Sequence, residues 1–367
     1  MILILKVKFW LLIFLVLYIY IGYPLFLYFL SLFSRKKLIK SDFEPSVSLI
    51  IFSSNDDKKL MQKIENCLLL EYPRNKLEII VASCGTSENM SEVVSNYYKR
   101  GIKLFYQAEK KNENEILNNC ILQTKGEIIS FTDDNSVLDK YSLKNLVRNF
   151  ADSKVGLVCG NLRYNVNDNL FVQGENLFLK YKKLILNLSS KIKVLTLVNK
   201  ELYAIRKSLF KEMKELNIPA CIVLPLSVLK ERFKTVYEPL AIVNKDVSFD
   251  FGENFKIELN RIMSELSSIK YLFDLIRSFR LLMFIQLLSY NILLNLAGVL
   301  FISIFIINFL ILVKPLYVIM FLLQIIFYMA GLLRISYIPF YFSFINLVSL
   351  MAVVKMIFRK DKHYEKK

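Results

Sequence analysis

Four long apolar runs, one near the start of the chain and three toward its end, constrain this sequence more than any other feature. Phe9 to Phe33 carries no charged residue. As a helix rising about 1.5 Å per residue, it can span a hydrocarbon core of about 30 Å with some tilt. Lys6 and Lys8 precede it, as in a signal peptide. The run is too long and too aromatic for one, and no small-residue cleavage site follows, so an uncleaved anchor is expected. Leu281 to Val313 is uncharged and sized for an interfacial helix followed by one span. Lys314-Pro315 makes a turn, and Pro315 to Leu333 and Ile335 to Val354 are two further runs. The last holds Pro339 and Asn346 with Lys355 just beyond, and reads either as a span or as a re-entrant or interfacial segment.

Basic residues orient the chain. Arg35, Lys36, Lys37 and Lys40 follow the first run, and Arg359, Lys360 and Lys362 follow the last. Both clusters favour the cytosol. The expected organisation is an N-terminal anchor (1–34), a cytosolic domain (35–270), interfacial and transmembrane helices (271–358) and a basic cytosolic tail (359–367). The expected location is the inner (plasma) membrane, multi-pass. A cytosolic tail requires an even number of C-terminal spans; three spans with an external tail is the other arrangement. The net charge of +17 is not interleaved with a nucleic-acid-binding module, so no nucleic-acid partner is expected. Attraction to anionic lipid and a simply solvated basic face both account for it. Five cysteines show no paired spacing, which fits reduced thiols. The single histidine, His363, lies in the tail, so a histidine base within the middle region is excluded.

The middle region alternates strands and helices. Strands are expected at 46–52, 77–82, 102–105 and 127–131. Helices are expected at 58–70, with Leu60, Ile64, Cys67 and Leu68 on one face, and at 114–123. Repeated βαβ units predict an α/β fold with a mostly parallel central sheet, whose ligands sit at the C-terminal strand ends. Asn55, Ser83 and Asp133 all fall at such ends. No Walker or Rossmann glycine pattern is present, which excludes the usual ATPase and dinucleotide chemistries. The tetrad Thr132-Asp133-Asp134-Asn135 brings two adjacent carboxylates out of a buried strand into a turn. That geometry suits a divalent cation on a nucleotide-sugar diphosphate. It also suits a plain polar turn, which Asp and Asn favour.

In order and spacing, the chain resembles the family-2 glycosyltransferases of bacterial surface-polysaccharide synthesis. The resemblance rests on Gly22-Tyr23-Pro24, Pro45 to Ile51, Asn55-Asp56-Asp57, Glu71-Tyr72-Pro73 through Leu77 to Val81, and Lys125-Gly126-Glu127-Ile128-Ile129. Leu224-Pro225-Leu226, Val236-Tyr237-Glu238-Pro239 and Pro339 to Phe342 extend it. It implies a GT-A (nucleotide-diphospho-sugar transferase) domain. It also implies a nucleotide-sugar donor, usually a UDP-sugar, with Mg2+ or Mn2+ as cofactor. The expected acceptor is a membrane-linked glycan or lipid, and the expected surroundings are the lipid bilayer and other polysaccharide-assembly proteins. By the same resemblance Asn55, Ser83, Asn118 and Asp133 would bind the nucleotide-sugar and Asp134 the metal. The chemistry would be inverting.

The chain departs from the family at several points. The usual D-D-G-S becomes Ser83-Cys84-Gly85-Thr86. A G-K before a helix becomes Asn112-Glu113, reversing the sign. G-x-D-G becomes Leu197-Val198-Asn199-Lys200, although Tyr203-Ala204-Ile205-Arg206 follows as expected. The carboxylate base expected before Leu224-Pro225-Leu226 falls near Ala220 and Cys221, neither of which is a carboxylate; Glu201 and Glu215 are the nearby substitutes. A basic pair further on is read as Glu258 and Asn260, with Arg261 adjacent. The Q-x-x-R-W of processive enzymes is missing, since the only tryptophan is Trp10. Two readings follow. One is a nonprocessive transferase whose base comes from elsewhere in the chain. The other is a pseudoenzyme that keeps the fold and serves as a scaffold in an assembly.

Overall fold

The computed structural model describes residues 1–34, 39–53, 56–84, 93–107, 112–165, 168–214, 218–278 and 280–359. The chain divides into two compact units, each assembled from separated segments. One comprises Ser31–Asn165 and Leu186–Asp246; the other comprises Met1–Leu30, Val166–Ile185 and Val247–Lys367.

The first unit is built on an eight-stranded sheet. Its strands are β1 (Val47–Phe52), β2 (Leu77–Cys84), β3 (Ile102–Gln107), β4 (Ile128–Asp133), β5 (Val137–Leu138), β6 (Val155–Asn165), β7 (Tyr203–Arg206) and β8 (Lys234–Asp246). Their order across the sheet is β3-β2-β1-β4-β7-β6-β8-β5. The first four run parallel, as do β6 and β8; β7 is antiparallel to both its neighbours. The mostly parallel α/β sheet expected from the sequence is therefore present. β1 is the central strand of the parallel half, and its residues 47–51 are all buried, which is why it reads as a continuous apolar run.

The helix Asp57–Leu68 is capped by Asp56, whose side chain accepts from Lys59 N, and it buries Leu60, Ile64, Cys67 and Leu68 as predicted. Glycine is required at Gly126. A Cβ there would lie 2.3 Å from Ser48 N and 2.7 Å from Val47 C, so the approach to β4 runs directly against the backbone of β1. Ser48 Oγ accepts from Gly126 N at 2.8 Å, which sets the register of the pair.

The second unit is mainly helical. Among the described residues, three of its helices are long and apolar enough to cross a membrane: Ile2–Leu32, Pro315–Leu332 and Tyr337–Phe358. Leu281–Leu293 and Ala297–Leu310 form a fourth apolar element, bent by 64° between them. The first helix begins at Ile2, earlier than the uncharged run alone suggests. It takes in Lys6, whose Nζ lies 5.7 Å from the centroid of the Tyr317 ring, so the charge is carried without being buried bare. Its turn Tyr18–Gly22 is π-helical. Such a widened turn frees a carbonyl, and Ile19 O accepts from Tyr181 Oη at 2.7 Å. The last apolar run forms one continuous helix, Tyr337–Arg359. Pro339 sits in its first turn, where no intrahelical hydrogen bond is lost.

Candidate active site

The parallel half of the sheet brings three strand ends to one edge. Phe52 of β1 is paired with Ala82 of β2 and with Asp133 of β4. The residues that follow, Ser53, Ser83 and Asp134, therefore gather where open α/β sheets bind ligands. Ser53 is fixed there by its backbone, which donates to Ala82 O at 3.1 Å. Its Oγ donates to Asp134 Oδ2 at 3.3 Å, inside the protein. Asp134 and Ser83 are both buried. Asn55 and Glu215 lie outside the described residues.

Asp133 is the more exposed carboxylate of the pair, yet both of its oxygens are inaccessible and have no hydrogen-bond partner among the described residues. The ion-pair partner found for it there is Lys245 Nζ, at 3.9 Å. A buried carboxylate with unbonded oxygens is costly unless another group engages it. Lys245, on β8, is itself committed to Glu201 at 3.0 Å. Glu201 lies in the turn into β7, and its carbonyl accepts from Thr132 Oγ1 at 2.8 Å, which ties that turn to the end of β4. Burial alone would raise the Glu201 pKa; the charges of Lys245 and Lys200 outweigh it and hold the carboxyl down at about 2.

Lys63 reaches the turn that follows the acidic pair. It is buried on the helix Asp57–Leu68, and its Nζ donates to Ser136 O at 2.8 Å and to Ser136 Oγ at 3.1 Å. Burial lowers its pKa, and the charges of Cys67, Asp133, Asp134 and Glu201 work in the opposite direction. Sequence reasoning passed over Lys63 and Lys245. For Lys63 a signal existed: it stands within the apolar stripe Leu60, Ile64, Cys67, where a lysine is out of place unless paired. Nothing local marks Lys245.

The donor set suits a hard divalent cation. Two carboxylates at one strand end, one of them with both oxygens unbonded, can supply one or two ligands while phosphate oxygens and water complete the shell. Among the described residues no group of three or more His, Cys, Asp or Glu side chains forms a self-sufficient metal site.

The other predicted residues are placed differently. Asn118 is buried on the helix Glu113–Gln123, and its amide is spent on Met213: Nδ2 donates to Met213 O at 3.1 Å and Oδ1 accepts from Met213 N at 3.0 Å. Ala220 is buried in the first turn of the helix Ala220–Lys230, and the carbonyl of Cys221 accepts from Val198 N at 3.1 Å. Arg261 belongs to the helical unit, where Glu258 holds it at 2.6 Å and Glu265 at 2.7 Å.

Residues 48–213 match the sequence model described as Glycosyl transferase family 2. That region is a family-2 glycosyltransferase domain. The chain is 27% identical over 135 residues to the poly-beta-1,6-N-acetyl-D-glucosamine synthase of Staphylococcus epidermidis, a stretch covering 36% of this chain and 32% of that protein. It is 26% identical over 125 residues to the probable glycosyltransferase YdaM of Bacillus subtilis, covering 32% of this chain and 30% of the relative. The match thus spans about a third of each curated relative's length. Among solved structures, the mannosyltransferase PcManGT of Pyrobaculum calidifontis, in complex with GDP-Man and Mn2+, superposes with a TM-score of 0.74. It is 15% identical and the match covers 96% of this glycosyltransferase and 99% of PcManGT, so the shared fold includes the helices at both ends. The GT-A fold expected from the sequence is confirmed by that likeness.

Proposed function

We propose that this glycosyltransferase moves a sugar from a nucleotide-sugar to a membrane-linked acceptor during cell-surface polysaccharide synthesis. It acts as a nonprocessive, inverting enzyme at the cytosolic face of the plasma membrane. The observation that carries the reading is the Asp133–Asp134 pair: two carboxylates at the C-terminal edge of a parallel sheet, one of them with neither oxygen hydrogen-bonded among the described residues. The donor side is supported by the names of similar proteins, one a poly-beta-1,6-N-acetyl-D-glucosamine synthase and another, PcManGT, solved with GDP-Man and Mn2+.

In this reading Asp134, steadied by Ser53, and Asp133 hold Mg2+ or Mn2+. When bound, the cation offsets charge on the departing diphosphate. Lys245 keeps Glu201 ionised and braces the wall beside Asp133. Ser83, buried at the end of β2, offers a hydroxyl to the nucleotide side of the cleft. The apolar helices keep the domain at the bilayer, where a lipid-linked acceptor is found.

The test is calorimetry on the full chain in detergent, titrating UDP-N-acetylglucosamine and GDP-mannose with Mn2+ present. One donor should bind to the parent, and Asp134→Ala should abolish that binding while the variant remains folded by circular dichroism. Binding unaffected by Asp134→Ala would remove the acidic pair from the site. Absence of a carboxylate at Ala220 and Cys221 favours a second reading, a scaffold that binds nucleotide-sugar without transfer. It predicts binding with no product.

A further inference from the structure

The geometry points to Glu113, at the start of the helix Glu113–Gln123, as the general base of the transfer. It would stand in for the carboxylate that the segment at Ala220 and Cys221 lacks. The inference rests on the transferase reading above.

One contact and two electrostatic couplings locate this glutamate. First, Asn114 Nδ2 donates to Ile218 O at 2.7 Å, which clamps the first turn of Glu113's helix to the chain entering Ala220. Second, buried Tyr203 feels the charges of both Cys221 and Glu113. Tyr203 is stacked on Phe131 of β4 at 4.7 Å, two residues before Asp133. Third, Glu113 is within electrostatic reach of Asp133 itself. The start of this helix is thus tied to the segment entering Ala220, and Glu113 feels the charge of Asp133.

Glu113 has no competing task. The helix start is closed by a reciprocal cap: Asn112 Oδ1 accepts from Asn114 N at 3.0 Å, and Glu115 Oε2 accepts from Asn112 N at 3.2 Å. Glu115 is the capping carboxylate, and Glu113 has no hydrogen bond or ion pair among the described residues. Its side chain reaches solvent, yet dense protein around it raises its pKa. Lys200 pulls the other way and Asp133 adds to the rise. A base with a raised pKa binds a proton more readily than an ordinary carboxylate.

The sign change at Asn112-Glu113 thereby acquires a role. In the step, the Glu113 carboxylate takes the proton of the acceptor hydroxyl. The oxygen's electron pair forms the bond to the anomeric carbon, and the bond from that carbon to the diphosphate breaks, its electrons leaving with the nucleoside diphosphate.

The experiment measures hydrolysis of UDP-N-acetylglucosamine and GDP-mannose, with water as acceptor and Mn2+ present, by full-length parent, Glu113→Gln and Glu113→Asp. Calorimetry of the same donors runs alongside. Glu113→Gln should lower turnover by about 10²- to 10⁴-fold with donor affinity within about twofold. The acid limb of the parent's pH profile, set by Glu113 in the field of Lys200, Asp133 and Tyr203, should disappear. Glu113→Asp should recover part of the rate. Parent turnover with Glu113→Gln within about threefold would overturn the assignment and leave the transferase reading intact. A fall in thermal stability without a fall in turnover would mean a structural partner of Lys200, and also overturns it. A parent that binds donor but never cleaves it would overturn the transferase reading, and the base with it.

Discussion

Lys245→Met tests whether the Glu201 pair holds the catalytic edge together. The ammonium sits 3.0 Å from Glu201 and 3.9 Å from Asp133, and the Glu201 side chain is only 8% exposed. Glu201 is held at about 2 against an ordinary 4.5. At about 1.4 kcal/mol per pKa unit, that difference corresponds to roughly 3 kcal/mol. Breaking a buried pair by removing one partner costs about 3–5 kcal/mol, which agrees. A loss of that size corresponds to a fall in Tm of about 6–12 °C for a unit of some 200 residues. The sign follows from the direction of the shift. A depressed carboxylate pKa stabilises the fold fully above pH 4.5 and loses that contribution as pH falls toward 2. The parent should therefore weaken across that window. Lys245→Met should be weaker already at neutral pH, with a smaller further loss on acidification. Thermal melts by circular dichroism at pH 7, 4.5 and 3 read both effects. The double variant Lys245→Met/Glu201→Gln should recover part of the loss, because no buried charge is then left bare; Asp133 still loses its neighbour. A single variant within about 0.5 kcal/mol of the parent, with an unchanged acid limb, would refute the reasoning.

Other perturbations separate packing from chemistry. Gly126→Ala should destabilise the sheet unit by about 3 kcal/mol or more, because its Cβ meets the backbone of β1 at 2.3 Å and backbone cannot yield without breaking the β1–β4 register; a melt within 1 kcal/mol of the parent would contradict this. Asn118→Ala strands the N–H and carbonyl of Met213, and should cost about 2–4 kcal/mol while leaving donor affinity within twofold by calorimetry. The apolar helices should keep the chain in the membrane pellet through alkaline carbonate extraction, and release into the supernatant would argue against spanning.

Elements fixed by short-range pattern could be read directly from the sequence. The parallel strands β1, β2 and β4 are continuous apolar runs, and the helices at 315–332 and 337–359 fall close to the uncharged stretches. The later strands were harder. β6 carries Gly156 and Gly160 with register shifts beside them, and β8 carries Pro239, so neither keeps a clean period. The site divides the same way. Asp133 and Asp134 announce themselves by adjacency at a strand end. Lys245 and Glu201 meet only because β8 and the turn into β7 converge on β4, a pairing across 44 residues that no local spacing encodes.

Glu201, the nearby substitute for a base before Leu224-Pro225-Leu226, is tied into an ion pair with Lys245. Two carboxylates near the acidic pair sit in opposed environments. Glu201 is paired with Lys245 and within reach of Lys200, which keeps it ionised and reluctant to take a proton. Glu113 has no paired cation among the described residues; the protein packed around it raises its pKa, Lys200 works against that, and the charge of Asp133 adds to the rise. Environments that push two carboxyl groups apart in this way sort their roles, one as a fixed counter-charge and the other as a proton acceptor. The contrast gives a crossed prediction. Glu201→Gln should lower the melting temperature, because Lys245 loses its partner, and leave the acid limb of donor hydrolysis in place. Glu113→Gln should do the reverse. If Glu201→Gln removes the acid limb and Glu113→Gln does not, the base is Glu201, and proximity in sequence was the better guide.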